Sequence, residues 1–93
     1  MSDILHLVLK HEWFEKIKSG KKTSEYRECK TFWNKRFNPI VSGEKPIWKY
    51  VFFHDGYTDN ILKCELLSIS LTKEKNDLNQ DQVWELKLGN ILN

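Results

Sequence analysis

The chain opens on an alternation of apolar and polar positions that then changes period. One face of the first segment, Leu5 to Lys10, is apolar, which predicts a strand. From residue 11 the apolar positions take up helical spacing, early acids are followed by lysines, and Gly20 stands where a left-handed residue ends a helix. A short helix over 11–20 is therefore predicted, with a buried stripe made of Trp13, Phe14 and Ile17.

Alternation returns directly after that helix. In residues 23–28, Thr23, Glu25 and Arg27 share one side of the predicted strand, and Ser24, Tyr26 and Glu28 share the other. The first 28 residues are thus predicted to form a strand, a helix and a second strand.

The remaining pattern is mostly extended. A short helix can begin at Thr31, and the pair Asn38-Pro39 is expected to end it. A turn is expected at 54–57, and strands are predicted at 47–53, 61–71 and 83–88. About five strands in so short a chain satisfy their edges best by curling, so the fold class predicted for residues 1–93 is one α+β domain, a small β-barrel with one early helix packed against it.

Composition narrows the class of protein. With 40% apolar and 30% charged residues and twelve aromatic side chains, the chain is expected to be globular. No apolar run approaches the roughly 20 residues of a membrane span. The first residues lack the pattern of a signal peptide, and two cysteines, Cys29 and Cys64, are too few for a disulfide scaffold. A cytoplasmic location and no contact with membranes are therefore expected.

Charge is unevenly distributed along the chain. Residues 1–53 contain 11 lysines and arginines against 6 acids, together with ten of the twelve aromatic residues. Basic side chains interleaved with aromatic ones suit a polyanion that has bases to stack. The same composition also fits aromatics that fill the core and lysines that face solvent.

Several kinds of site find no support in the sequence. The chain has no glycine-rich nucleotide loop, no metalloprotease motif and no serine-hydrolase motif. Its three histidines and two cysteines do not have the spacing of metal ligands, so neither a metal nor a cofactor is predicted.

One dense polar cluster runs from the helix end into the second strand: Lys21, Lys22, Thr23, Glu25 and Arg27. If this strand face lines a concave mouth, a cation, a hydroxyl, a carboxylate and a guanidinium converge on a small volume. Such a set can hold a phosphate or a base edge, or can transfer a proton. Alternatively, the lysines only complement the helix dipole and Glu25 and Arg27 pair with neighbouring strands.

The segment from Trp13 through Arg27 resembles the opening of ASCH domains, which belong to the PUA-like superfamily of small β-barrels. The shared pattern is an aromatic helix followed by Gly-x-Lys-Thr-x-Glu-x-Arg, here Gly20 to Arg27. It covers about the first third of the chain. The resemblance implies a cleft between the first helix and the adjoining strands, with RNA, DNA or modified nucleosides as ligands.

Some small members of that family are amidohydrolases that deacetylate N-acetylated cytidine with a lysine, a threonine and a glutamate. Lys22 matches the lysine of the family pattern. The catalytic threonine lies three residues later, where this chain has Glu25, and Thr23 falls elsewhere in the motif. Glu65 and Glu74 are the candidates for the distal glutamate.

The predicted function is a module that binds RNA, single-stranded nucleic acid or a modified nucleoside. The predicted ligand contacts are made by Lys21, Lys22, Thr23, Glu25 and Arg27, and Trp33 or Trp48 offers a stacking face. The alternative is an amidohydrolase in which Lys22 and Glu25 are the candidate catalytic residues. A third possibility is a small regulatory protein that binds another protein.

Overall fold

A computed structural model describes residues 3–74 and 76–92 of the chain. Within them, five strands and two helices follow one another as β1 (Ile4–Leu9), α1 (His11–Lys18), β2 (Ser24–Glu28), α2 (Thr31–Val41), β3 (Tyr50–Asp55), β4 (Ile61–Thr72) and β5 (Val83–Ile91). No helix in the described part of the chain is long and apolar enough to cross a membrane.

All five strands belong to one mixed sheet with the order β1-β3-β4-β5-β2. β1 runs parallel to β3, and the other neighbouring pairs are antiparallel. The register of β4 against β5 shifts between Cys64 and Leu66 and again between Leu66 and Ser68. Such irregularities bend a long strand and increase its twist. The sheet accordingly curls into a half-barrel, with β1 and β2 as its two edges.

The concave face of the sheet carries the apolar positions of every strand except β2. Together with the buried side of the two helices they form a continuous core, whose fully buried members include Leu5, Phe37, Val51, Phe53, Cys64, Trp84 and Leu86. β2 instead turns Glu25 and Arg27 towards this side, because Glu25 pairs with Leu86 and Arg27 with Trp84 across the β2–β5 ladder. The polar face predicted for β2 therefore lies at the rim of the core.

The α+β class, the five strands and the barrel-like curl agree with the sequence prediction. Helix α1 ends as expected, since Gly20 adopts φ +81° and donates its N–H to the carbonyl of Ile17. Phe14 and Ile17 are buried, whereas Trp13 is half-buried and packs at the margin of the core.

Three details of the prediction were wrong. The structure packs two helices against the sheet rather than one: the helix that can begin at Thr31 is present as α2, and it does not end at Asn38-Pro39 but continues through Pro39 to Val41. A proline deprives the helix of only one hydrogen bond, and Ile40, just beyond it, packs against the core and supports the last turn. The third strand lies at Tyr50–Asp55 and not at 47–53, because β1 and β3 pair from Ile4 with Tyr50 to Leu9 with Asp55. The turn accordingly begins after Asp55.

Candidate functional site

The candidate site lies where the two edge strands of the half-barrel approach each other. A cavity of about 390 Å³ opens there between β1, α1, β2 and α2, and the loop before β5 contributes Asp77 and Leu78 to its wall. One side chain spans the opening: Nη2 of Arg27, on β2, donates a hydrogen bond to the carbonyl oxygen of Val8, on β1, at 3.1 Å. The cavity therefore occupies the seam that would be closed in a complete barrel.

A row of three charged side chains forms the floor of this cavity. One oxygen of the Glu25 carboxylate, Oε1, lies 3.1 Å from Nζ of Lys22, and the other, Oε2, accepts a hydrogen bond from Nη2 of Arg27 at 2.8 Å. The side chains of Lys22, Glu25 and Arg27 are only 10%, 6% and 18% exposed. The Glu25 carboxylate is therefore held between two cations, one before it in the chain and one after it on the same strand.

Arg27 is positioned by an aromatic ring as well as by oxygen atoms. Its guanidinium lies 5.0 Å from the centre of the Trp33 ring, and Trp33 in turn stacks on the buried Phe37 with ring planes inclined by 13°. The Nε of Arg27 is buried and has no hydrogen-bond partner among the described residues. A buried donor without a partner is rare and costs free energy, so the other contacts of this guanidinium must hold it in place.

Lys22 enters the cavity because the chain reverses at Gly20. The N–H of Lys22 donates to the carbonyl oxygen of Lys16 at 3.1 Å, so the residues after α1 fold back over its last turn. Its ammonium then lies 4.6 Å from the centre of the Trp13 ring and forms an ion pair with Asp77 in addition to the one with Glu25. Lys22 thus has contacts on three sides and very little exposed surface.

The five residues predicted as ligand contacts separate into two groups. Lys22, Glu25 and Arg27 line the cavity at the seam, but Lys21 and Thr23 do not. Both are exposed and line a neighbouring cavity of about 400 Å³ beside the end of α1, which Lys22 also reaches. Thr23 lies outside the seam because it precedes the first residue of β2, where its carbonyl accepts the N–H of Leu88.

The other candidates from the sequence lie outside the seam. Glu65 accepts the N–H of Asn90 at 2.9 Å from the far end of β5, and Glu74 is exposed just after β4. Neither lines either cavity, so neither supplies the distal glutamate expected from the family resemblance. Of the two proposed stacking residues, Trp33 lines the seam cavity, whereas Trp48 packs edge-on against Phe37.

Two acidic residues of the region were missed by the sequence analysis. Asp77 reaches Lys22 from a polar loop whose path no periodicity reveals. Glu85 is buried on the opposite face of β5, where it accepts hydrogen bonds from Ser24 at 2.9 Å and from the Tyr26 hydroxyl at 3.5 Å. Burial and the nearby Glu85 carboxylate raise the pKa of Tyr26, so this phenol stays protonated over the physiological range. The alternation of β5 marked position 85 as polar but not as buried.

Among the described residues, no group of three or more His, Cys, Asp or Glu side chains is arranged to hold a metal ion. In comparisons with known proteins, no family model matches the chain, and no curated protein matches it.

Proposed function

We propose that the protein binds a nucleotide or an unpaired RNA base in the cavity at the seam, as a small PUA-like domain of the ASCH type. The observation that carries the proposal is the Lys22–Glu25–Arg27 row, a carboxylate between two cations on the floor of a cavity walled by Trp13 and Trp33. The half-barrel fold with a helix beside the second strand supports the assignment to this class.

The hydrogen-bonding capacity of the row complements the edge of a nucleobase. A base edge presents amino or imino donors beside carbonyl or ring-nitrogen acceptors. The Glu25 carboxylate accepts from an exocyclic amine, while Arg27 and Lys22 donate to acceptors on either side. A lone phosphate would not use the Glu25 carboxylate, because both groups are anions that accept hydrogen bonds. A base edge is therefore the better fit.

The aromatic walls give the same cavity a means of holding a flat ring. Trp13 and Trp33 are both half-buried and both line the cavity. Each already has a cation over its ring, Lys22 and Arg27 respectively, so a base that stacks there takes the place of that cation. Stacking of a base on an aromatic side chain contributes about 1–3 kcal/mol and is common in proteins that bind single-stranded RNA. The walls thus supply affinity and the row supplies selectivity.

Titration of a short single-stranded RNA against two lysine variants tests the proposal. Lys22→Ala removes a charge-assisted contact inside the cavity and should weaken binding by about 1.5–3 kcal/mol. Lys18→Ala is the matched control, because Lys18 is exposed on α1 and lines neither cavity. Equal small losses for both variants would indicate a diffuse basic surface and would overturn the proposal.

One observation favours an enzyme as the second candidate. Lys22 Nζ and Glu25 Oε1 are 3.1 Å apart, close enough for proton transfer during the cleavage of an amide on a modified base. If the site is catalytic, Lys22→Ala should abolish the turnover of N-acetylated cytidine and leave its affinity nearly unchanged. Tight binding of this nucleoside without release of acetate would leave the binding module as the function.

A further inference from the structure

The second cavity is continuous with the seam and chemically different from it. The two cavities share Trp13, Lys22, Tyr26 and Asp77, so the Lys22–Asp77 ion pair stands between them. In the second cavity the remaining lining residues are Lys16, Lys21, Thr23 and Ser24. Three lysines therefore line this cavity together with one carboxylate, that of Asp77. Thr23 directly precedes β2, and Ser24 is its first residue.

This composition is that of a site for an oxyanion rather than for a base. Lysine ammonium groups and a threonine hydroxyl are common phosphate ligands, and they place positive charge without reading a base edge. Ser24 already donates its hydroxyl to Glu85, so the donors left for a ligand are the lysines and Thr23. The seam cavity, in contrast, has three acids in its wall against four basic residues, so its charges nearly balance. These residues are Glu25, Glu28, Asp77, Lys10, Lys22, Arg27 and Lys30.

The arrangement of the lysines is determined by the end of α1. The Lys16 ammonium lies 4.6 Å from the centre of the Trp13 ring, the same distance as that of Lys22. One indole thus places two cations at the shared boundary of the cavities. Lys21, in the turn after Gly20, supplies the third cation from the solvent side.

We infer that the second cavity binds a phosphate group of the same ligand whose base enters the seam, so that the protein takes a phosphorylated nucleotide or an RNA strand in preference to a free nucleoside. This inference rests on the proposed function. A base and a phosphate of one nucleotide are separated only by the ribose, which matches two cavities that share four lining residues.

Asp77 then has a defined role in the ligand-free protein. Its carboxylate occupies the side of Lys22 at which the phosphate would arrive. A phosphate that binds there replaces one anion by another and releases Asp77 to solvent. Neutralising Asp77 should therefore strengthen the binding of phosphorylated ligands.

The experiment compares ribonucleosides with their 3′- and 5′-monophosphates by calorimetric titration at low and high salt. The wild-type protein should bind one class of monophosphate at least tenfold more tightly than the parent nucleoside, with the advantage reduced at high salt. The double variant Lys16→Ala/Lys21→Ala should lose about tenfold affinity for that monophosphate and keep its affinity for the nucleoside. Asp77→Asn should gain affinity for the monophosphate, and Lys18→Ala should match the wild type.

The outcomes separate the inference from the proposed function. Nucleoside binding with no gain from either phosphate would overturn the second cavity as a phosphate site and leave the seam as a base site. A phosphate gain that survives Lys16→Ala/Lys21→Ala would place the phosphate elsewhere and also overturn the inference. If neither nucleosides nor monophosphates bind, the proposed function is wrong, and the inference that rests on it is wrong as well.

Discussion

At the scale of single residues, one hydrogen bond anchors the largest buried side chain. The indole Nε1 of Trp84 donates to Oδ1 of Asn34 at 2.8 Å, and Trp84 is 1% exposed in the middle of the core. This contact joins β5 to α2 across a sequence separation of 50 residues. It satisfies a donor that water cannot reach, which explains why an amide is tolerated on the inner side of α2.

Replacing Asn34 by Ala should therefore destabilise the fold. The indole N–H of Trp84 would lose its partner while staying buried, which costs about 1–3 kcal/mol. Denaturant unfolding followed by tryptophan fluorescence measures the change. Asn38→Ala, on an exposed position of the same helix, is the control. A free energy of unfolding that is the same for both variants would mean that the Trp84 N–H finds another acceptor.

A second residue pair makes stability depend on pH. His11 begins α1, and its Nδ1 lies 2.9 Å from Oδ2 of the buried Asp55 at the end of β3. The hydrogen bond and the charge of Asp55 raise the pKa of His11 above 6.5. Because the folded state holds this proton more tightly, the stabilisation is fully present below pH 6.5 and is lost as the pH rises through the raised pKa.

The melting temperature should fall between pH 6 and pH 8.5 in the wild type, and His11→Gln should remove part of that fall. Most of the imidazole is exposed, so solvent screening keeps the effect small. Thermal melts in buffers of matched ionic strength measure it. An identical pH dependence in the variant would show that His11 and Asp55 do not interact in solution.

At the scale of secondary-structure elements, α1 carries two adjacent residues with different roles: one packs in the core and the other lines the candidate site. Phe14 is buried in the core and Trp13 lines both cavities, half-buried under two ammonium groups. Phe14→Ala should destabilise the protein by about 3–5 kcal/mol, as large core truncations do. Trp13→Ala should cost less stability but weaken the proposed binding of RNA, because a wall of the seam cavity is lost. Chemical denaturation and RNA titration of both variants test this division, and the reverse ranking in stability would contradict it.

Elements with strong periodicity could be predicted from the sequence, and those determined by pairing could not. The spacing of Leu5, Leu7 and Leu9 and the glycine after α1 are local signals, and both were confirmed. The start of β3 depends on its register with β1, which is a long-range contact. Likewise, Pro39 is a strong local break that the packing of α2 overrides.

At the scale of the whole molecule, the candidate site was only half predictable. Period-two alternation correctly placed Glu25 and Arg27 on one face, since that relation is internal to β2. The Trp33 wall and the Asp77 partner come from α2 and from the loop before β5, and only the folded chain brings them to Lys22. Alternation also placed Thr23 on the face of Glu25 and Arg27. In the folded chain, however, Thr23 precedes β2 and lines the second cavity.

Arg27 connects the two ends of the sheet, so its chemistry should affect the entire fold. One guanidinium nitrogen donates both to Glu25 and to the Val8 carbonyl. Lysine cannot reproduce this forked geometry over Trp33, and Arg27→Lys should lower the free energy of unfolding by about 1–3 kcal/mol. Arg36→Lys is the control, because the rings that Arg36 contacts, Phe32 and Trp48, are exposed and half-buried respectively. Equal stability of the two variants would show that the seam is held by other contacts.

The position of β2 in the sheet has a consequence for how the protein is made. β2 is an early segment of the chain, yet its strand partner is β5, the last strand, and Glu25 pairs with Leu86. On the ribosome, β2 must therefore remain without this neighbour until β5 has emerged. The β3–β4 hairpin can form first, whereas the residues of the seam come together only with the final strand. Nascent chains arrested before residue 83 should consequently lack the assembled seam, even where the hairpin has already folded.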